Sequence, residues 1–263
     1  MADLVDLKGH VAVVTGGGQG VGREIVLHLA AHGAGGVAIL DYFADRAEAV
    51  AKEVEALGCR ALPVGCDVTS YPAVQAAFAK VGDDLGPVDI LVNNAGNSGT
   101  ASEVGDPRSF WLTDPSDWEP WLAVNLYGVM HCTRAALPLM VERAYGRIVT
   151  ITSDAGRVGQ ANLVHYSAGK AGAAGFMRAI ARAVGRYSIT ANCVSLGVMR
   201  TPAGEAGWLS DPEEVRKVLS RYVLRRVGEP ADAANMVVFL ASDAASWITG
   251  QTIPVNGGYA FST

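Results

Sequence analysis

The sequence is poor in the groupings that metal centres, disulfide scaffolds and nucleic-acid binders need. Its four cysteines (Cys59, Cys66, Cys132, Cys193) include no C-x-x-C pair, and its five histidines are scattered without a ligand pattern. Reduced thiols are expected, with no structural metal and no disulfide framework. The net charge is −5 and no basic tract is present, so neither nucleic acid nor an acidic membrane is the main partner. A small molecule is expected instead. Every apolar stretch is broken by Gly, His or charge well before the roughly 18 residues that a spanning helix needs. The opening MADLVDLKGH lacks the basic and apolar regions of a signal peptide. Together these absences predict a cytoplasmic protein.

Half of the 263 residues are hydrophobic, enough for a large core in a single domain over 1–263, with no linker or repeat dividing it. Runs of β-type residues recur along the chain: HVAVVT (10–15), GVAIL (36–40), ALPVGCDV (61–68), DILVNN (89–94), RIVTIT (147–152), ITANCVS (189–195) and QTIPVN (251–256). Each is nearly continuous in apolar residues and is followed by Gly, Asn, Asp or Ser within a few positions. Strands buried on both faces and separated by helix-length segments predict an α/β fold. The expectation is a single-domain Rossmann-type doubly wound sheet of about seven parallel strands with helices on both faces. In such sheets ligands bind beyond the carboxyl ends of the strands.

The first strand runs into TGGGQGVG (15–22) and then a helical pattern, REIVLHLAAHG. Gly16, Gly20 and Gly22 allow a sharp turn and let a pyrophosphate approach the amides of a helix N-terminus. The spacing Gly-x-x-x-Gly-x-Gly does not fit the usual Gly-x-Gly-x-x-Gly, and no Lys-Ser/Thr pair follows to make a mononucleotide loop. Asp41 ends the second strand, where a carboxylate accepts bonds from a ribose diol and repels a 2′-phosphate, favouring NAD over NADP. Alternatively it caps the helix that follows. Arg46 is the nearby cation that could favour NADP.

In HYSAGK (165–170), Tyr166 and Lys170 stand four residues apart, on one face if the segment is helical. A free tyrosine with a pKa near 10 is a poor base. An ammonium about 4 Å away at an effective dielectric of 20 would lower it by roughly three units, to near 7. That would make Tyr166 a general base for an alcohol.

These motifs and their order resemble the classical short-chain dehydrogenase/reductase family over about residues 7–258. The resemblance implies the site residue by residue. In the glycine loop, Gly16, Gln19, Gly20, Val21 and Gly22 match the cofactor fingerprint. Asp67-Val68 matches the adenine-binding position, and Asn94, Ala95 and Gly96 of NNAG match the turn beside the cofactor. Asn125, Ser153, Tyr166 and Lys170 match the catalytic tetrad, with Tyr166 and Lys170 also touching the cofactor. Gly197, Val198 and Thr201 match the nicotinamide-binding segment. The family usually has Pro-Gly where this chain has Leu196-Gly197. That restores an N–H and frees φ, so the loop is expected to sit differently while a backbone contact at Val198 survives.

The implied activity is NAD-dependent interconversion of a secondary alcohol and a ketone, on a hydroxyacyl-CoA, cyclic alcohol or hydroxysteroid. The alternatives are an NADPH-dependent 3-oxoacyl-carrier-protein reductase and a non-catalytic dinucleotide-binding regulator. Substrate loops are expected at 97–117, with Phe110 and Trp111, and at 199–226, with Trp208 and Tyr222. Arg216, Arg221, Arg225 and Arg226 read as a solvated helical face, or else as partners for the phosphates of an acyl thioester's carrier. The small residues of SAGKAGAAGFMRAIARAVG allow either close packing on the sheet or, as the resemblance implies, a homodimer or homotetramer through this helix.

Overall fold

The computed structural model describes residues 4–98 and 108–261. Seven strands form one sheet: β1 (Val11–Thr15), β2 (Gly36–Asp41), β3 (Ala61–Gly65), β4 (Ile90–Asn93), β5 (Gly146–Ser153), β6 (Ile189–Leu196) and β7 (Thr252–Val255). All pairings are parallel and the order is β3-β2-β1-β4-β5-β6-β7. The helices are α1 (Gly20–Ala31), α2 (Ala44–Ala56), α3 (Tyr71–Asp84), the short α4 (Glu119–Leu122), α5 (Gly128–Arg143), α6 (Ala155–Val158), α7 (Val164–Val184), α8 (Pro202–Glu205), α9 (Pro212–Leu219) and α10 (Pro230–Ala241). A π-helical turn, Ala123–Tyr127, joins α4 to α5.

Strand periodicity assigns the helices to faces. Ala12, Val14, Val37, Ile39, Ile90 and Val92 point to the core under α1, α2 and α10. Their neighbours Val13, Ala38, Leu40 and Leu91 point to the opposite core, under α3, α5 and α7. Successive strand residues alternate faces, so a strand buried on both sides must be apolar throughout. That is the reason β1, β2 and β4, buried along their whole length, read as nearly unbroken apolar runs.

The chain winds outward from β1 to β3 and then returns to place β4 on the other side of β1. The loops leaving β1 and β4 therefore diverge and open a crevice between them. One boundary differs from expectation: β3 ends at Gly65 rather than at residue 68. Asp67 instead closes an Asx turn, its Oδ1 accepting the Thr69 N–H at 2.9 Å, which turns the chain toward α3.

Candidate active site

At the β1–β4 crevice the two loops are bolted together. Thr15 Oγ1 accepts the N–H groups of Asn94 and Ala95, both at 3.0 Å, and Asn94 Nδ2 donates to the carbonyls of Thr15 at 3.0 Å and Gly16 at 2.9 Å. This close approach fixes the glycines. A Cβ on Gly22 would lie 2.0 Å from the Gly16 carbonyl oxygen, and Gly16 itself has φ +62. Helix α1 then begins at Gly20 with Gln19 as N-cap, with no side-chain cap bond and no acidic residue in its first turn. Its amides and dipole are left for an anion.

A cleft of about 660 Å³ lies over this N-terminus, lined by Gly16, Gln19, Gly20, Val21, Gly22, Asp41, Asp67, Val68, Asn94, Ala95, Gly96 and Thr201. Every cofactor position expected between β1 and β4 is thus in one wall. Asp41 is buried; its Oδ2 accepts the Gly18 N–H at 2.9 Å and its Oδ1 the Phe43 N–H at 3.0 Å. It does not cap α2, whose N-cap is Phe43 without a side-chain cap. Each carboxylate oxygen keeps acceptor capacity beyond these bonds. Arg46 lines the same cleft and stacks its guanidinium over Phe43, 4.2 Å from the ring centroid.

The tetrad residues gather at the ends of β5 and α7. Tyr166 is half-buried on the first turn of α7 and lines one cleft with Ser153, whose hydroxyl at the end of β5 acts to lower the phenol's pKa. One turn on, Lys170 is buried and its Nζ donates to the Ile151 carbonyl at 3.0 Å. Asn125, buried in the π-helical turn, donates from Nδ2 to the carbonyls of Asn97 at 2.8 Å and Trp121 at 2.9 Å. A Cβ on Gly96 would meet Lys170 Nζ at 2.9 Å and Asn125 Oδ1 at 3.0 Å. The bare glycine is what lets these two side chains sit directly beneath the cofactor cleft.

The electrostatics differ from expectation. Lys170 Nζ lies 5.7 Å from the Tyr166 ring centroid. Burial instead pushes the Tyr166 phenol above its ordinary value, opposed in part by the Ser153 hydroxyl. The same burial pulls the Lys170 ammonium down to about 8. In the protein alone, loss of solvent is the leading cause of both shifts.

A second cleft, about 890 Å³, is lined by Ser153, Tyr166, Leu196, Gly197, Val198 and Thr201 together with Trp208, Tyr222 and Tyr259. Thr201 is common to both clefts, so they meet beside Tyr166. Leu196 is the last residue of β6, paired to Ser153 on one side and Val255 on the other. The Val198 N–H donates to Tyr222 Oη at 2.9 Å. The aromatic walls also differ. Phe110 packs on Trp118 and His165, with centroids 5.5 and 5.7 Å apart, while Trp111 is exposed and neither lines the cleft. Residues 99–107 of the expected 97–117 loop lie outside the described residues. Of the four arginines, only Arg216 is in α9; Arg221, Arg225 and Arg226 follow its end.

Sequence reading missed Asp154. It is buried directly after Ser153, accepts from Arg157 Nη1 at 2.6 Å and Ser195 Oγ at 3.0 Å, and from Asn256 Nδ2 at 2.6 Å. One carboxylate thereby ties the ends of β5, β6 and β7 together behind the catalytic serine. The only signal was an acid immediately after an apolar strand.

A family profile described as Enoyl-(Acyl carrier protein) reductase matches residues 16–260. The chain belongs to the short-chain dehydrogenase/reductase family. It is accordingly an NAD(P)-dependent oxidoreductase that interconverts alcohols and ketones. A similar family member is the (2S)-[(R)-hydroxy(phenyl)methyl]succinyl-CoA dehydrogenase subunit of Thauera aromatica, 38% identical over 96% of this chain and 97% of that protein. The 3-oxoacyl-[acyl-carrier-protein] reductase of Staphylococcus aureus (strain Mu50 / ATCC 700699) is 36% identical over 94% and 96%. Among solved members of the family, a 7α-hydroxysteroid dehydrogenase complexed with NADH and 7-oxo glycochenodeoxycholic acid superposes with TM-score 0.90 at 35% identity, covering 98% of this chain and 97% of that one. Among the described residues no cluster of His, Cys, Asp or Glu could hold a metal ion, and no helix is long and apolar enough to cross a membrane.

Proposed function

We propose that this chain is an NAD-preferring dehydrogenase of secondary alcohols, with Tyr166 as the proton-transferring group. The observation that carries the reading is that Ser153 and Tyr166 share the wall of a cleft that meets the glycine-loop cleft at Thr201. The residues fit a dinucleotide: uncapped amides at α1, no room for side chains at Gly16 and Gly22, and a carboxylate at Asp41. When bound, the nicotinamide supplies hydride acceptance and a positive charge near the phenol. For alcohol oxidation the phenol must first release its own proton to solvent, which the Lys170 ammonium and the positive charge of a bound nicotinamide would favour. The phenolate Oη would then take the hydroxyl proton while the Ser153 hydroxyl donates to the substrate oxygen. In reduction Tyr166 returns that proton. Lys170 holds a positive charge behind the phenol, and Asn125 fixes Asn97 and the floor of the cleft.

Asp41 supports NAD over NADP because its carboxylate lines the same cleft as the glycine loop, and a carboxylate there would repel a 2′-phosphate. Arg46, stacked in the same wall, favours the second reading, an NADPH-dependent 3-oxoacyl-carrier-protein reductase. The hydroxyacyl-CoA and hydroxysteroid activities named for the relatives are the substrate classes to try first here. Assembly is proposed as a homodimer or homotetramer in the cytoplasm, with the outer face of α5 and α7, where Met130, Leu137, Phe176 and Ile180 line an apolar groove, as the surface to test. The small residues of α7 also serve the chain's own packing, since a Cβ on Gly169 would lie 3.0 Å from Asn125 Cβ. The reading is tested by turnover with NAD and with NADP against secondary alcohols, hydroxysteroids and hydroxyacyl-CoA thioesters. Reduction of NAD by at least one class, with a higher kcat/KM than for NADP, is expected; no turnover of any class with either cofactor contradicts it.

A further inference from the structure

Two charged residues line the cleft that contains Ser153 and Tyr166: Asp154 and Arg221. Asp154 is neutralised where it stands, paired at 2.6 Å with Arg157 and accepting from Ser195 and Asn256. Arg221 is not. Among the described residues its guanidinium, on an exposed residue, has neither a hydrogen-bond nor an ion-pair partner. Its neighbours behave otherwise: Arg226 binds both oxygens of Asp232, at 2.6 and 2.9 Å, Arg225 donates to the Leu219 carbonyl at 3.4 Å, and Arg216 lines a separate groove with Leu209 and Pro212. Much of the remaining lining is apolar or aromatic, including Leu163, Trp208, Val218 and Tyr259.

A guanidinium left alone in such a cleft is solvated only while the cleft is open. A substrate that fills the cleft strips water from it, and a neutral substrate leaves the charge desolvated and unpaired. An anion removes that penalty and gains two parallel charge-assisted hydrogen bonds, a geometry for which guanidinium is suited. The charge of the whole protein sharpens the point. At a net −5 the overall field disfavours anions, so an anion would need a local cation to hold it.

We infer that the alcohol or ketone substrate carries an anionic group, a carboxylate or a phosphate, that pairs with Arg221, so that Arg221 determines specificity. This rests on the reading of the Ser153–Tyr166 cleft as the alcohol site. The apolar walls take the carbon skeleton, and the anion is what separates the preferred substrates from neutral alcohols of the same shape. A site built around a charge discriminates strongly against analogues that cannot pair it.

The test is kcat/KM for matched probes with the intact enzyme: 3-hydroxyoctanoate, its methyl ester and its coenzyme A thioester, together with a hydroxysteroid carboxylate and its methyl ester. The parent, Arg221→Gln and Arg221→Lys are compared. The ratio of anionic to neutral probe is expected to fall by about 10- to 100-fold in Arg221→Gln, the worth of a hydrogen bond to a charged group, and to recover in part in Arg221→Lys. A fall confined to the free acids assigns the carboxylate; one confined to the thioester assigns the phosphates of its carrier. A ratio within about twofold of the parent's, about 0.4 kcal/mol, overturns the inference and leaves the alcohol reading intact. If the parent turns over none of the probes with either cofactor, the alcohol reading fails and the inference fails with it.

Discussion

Replacing Lys170 with methionine should make the cofactor-free protein more stable at neutral pH while removing its activity. Burial holds the ammonium at about 8 against an ordinary 10.5, a gap worth roughly 3 kcal/mol at 1.36 kcal/mol per pKa unit. Methionine keeps much of the apolar stem and gives up the hydrogen bond to the Ile151 carbonyl, a loss of about 1 kcal/mol. A net gain of about 2 kcal/mol at pH 7 follows. The sign with pH is fixed by linkage. Below about 8 the folded and unfolded chains both hold the proton, so the cost of the buried charge is constant. Between about 8 and 10.5 the folded chain has released it while the unfolded chain has not, and the parent's stability rises with pH. The variant lacks this rise, so its advantage disappears by about pH 10.5. Urea unfolding of both proteins at pH 7 and pH 10, at one protein concentration and without cofactor, reads the difference. A variant less stable than the parent at pH 7, or one with the parent's pH dependence, would refute the reasoning. Turnover with NAD should be lost at neutral pH in the same variant, and NAD binding weakened.

Asp41→Ser should shift the ratio of kcat/KM for NAD and NADP toward NADP by at least about tenfold, about 1.4 kcal/mol, because it removes the charge while Arg46 remains in the wall; an unchanged ratio would show that Asp41 serves only to bracket Gly18 and Phe43. Asp154→Ala removes the partner of Arg157 together with two further accepted bonds, and should cost about 3–5 kcal/mol in denaturant unfolding; a loss below about 1 kcal/mol would mean that the carboxylate does not tie the strand ends together.

The parts of this account that were legible in the sequence rest on local patterns. The central strands β1, β2 and β4 come from runs that are apolar because both sheet faces are covered, and the strand–glycine–helix order places the cofactor loop at a strand end. The helical spacing of Tyr166 and Lys170 is equally local. What could not be read depends on residues far apart in the chain. Tyr222 reaches the amide of Val198 from beyond the end of α9, and Asn256 reaches Asp154 because β5, β6 and β7 are neighbours in the sheet. The sign of the Tyr166 shift was unreadable for a related reason: attraction to Lys170 can be guessed from spacing, whereas the opposing loss of solvent depends on how the site is roofed. Arg221 looked like part of a solvated helix because nothing between 211 and 226 marks an end; the structure stops α9 at Leu219, leaving Arg221 beyond the helix in the wall of the cleft.

The central claim is that Tyr166 Oη moves the proton. Tyr166→Phe removes that atom alone and leaves the ring to pack against its neighbours. Binding of NADH, followed by fluorescence, and kcat/KM for a secondary alcohol with NAD should be measured on parent and variant side by side. The account predicts binding within about threefold of the parent, below 1 kcal/mol, and a fall in turnover of about 100- to 10,000-fold, the usual contribution of a positioned general acid–base. Turnover within about tenfold of the parent, about 1.4 kcal/mol, with binding intact, would contradict it.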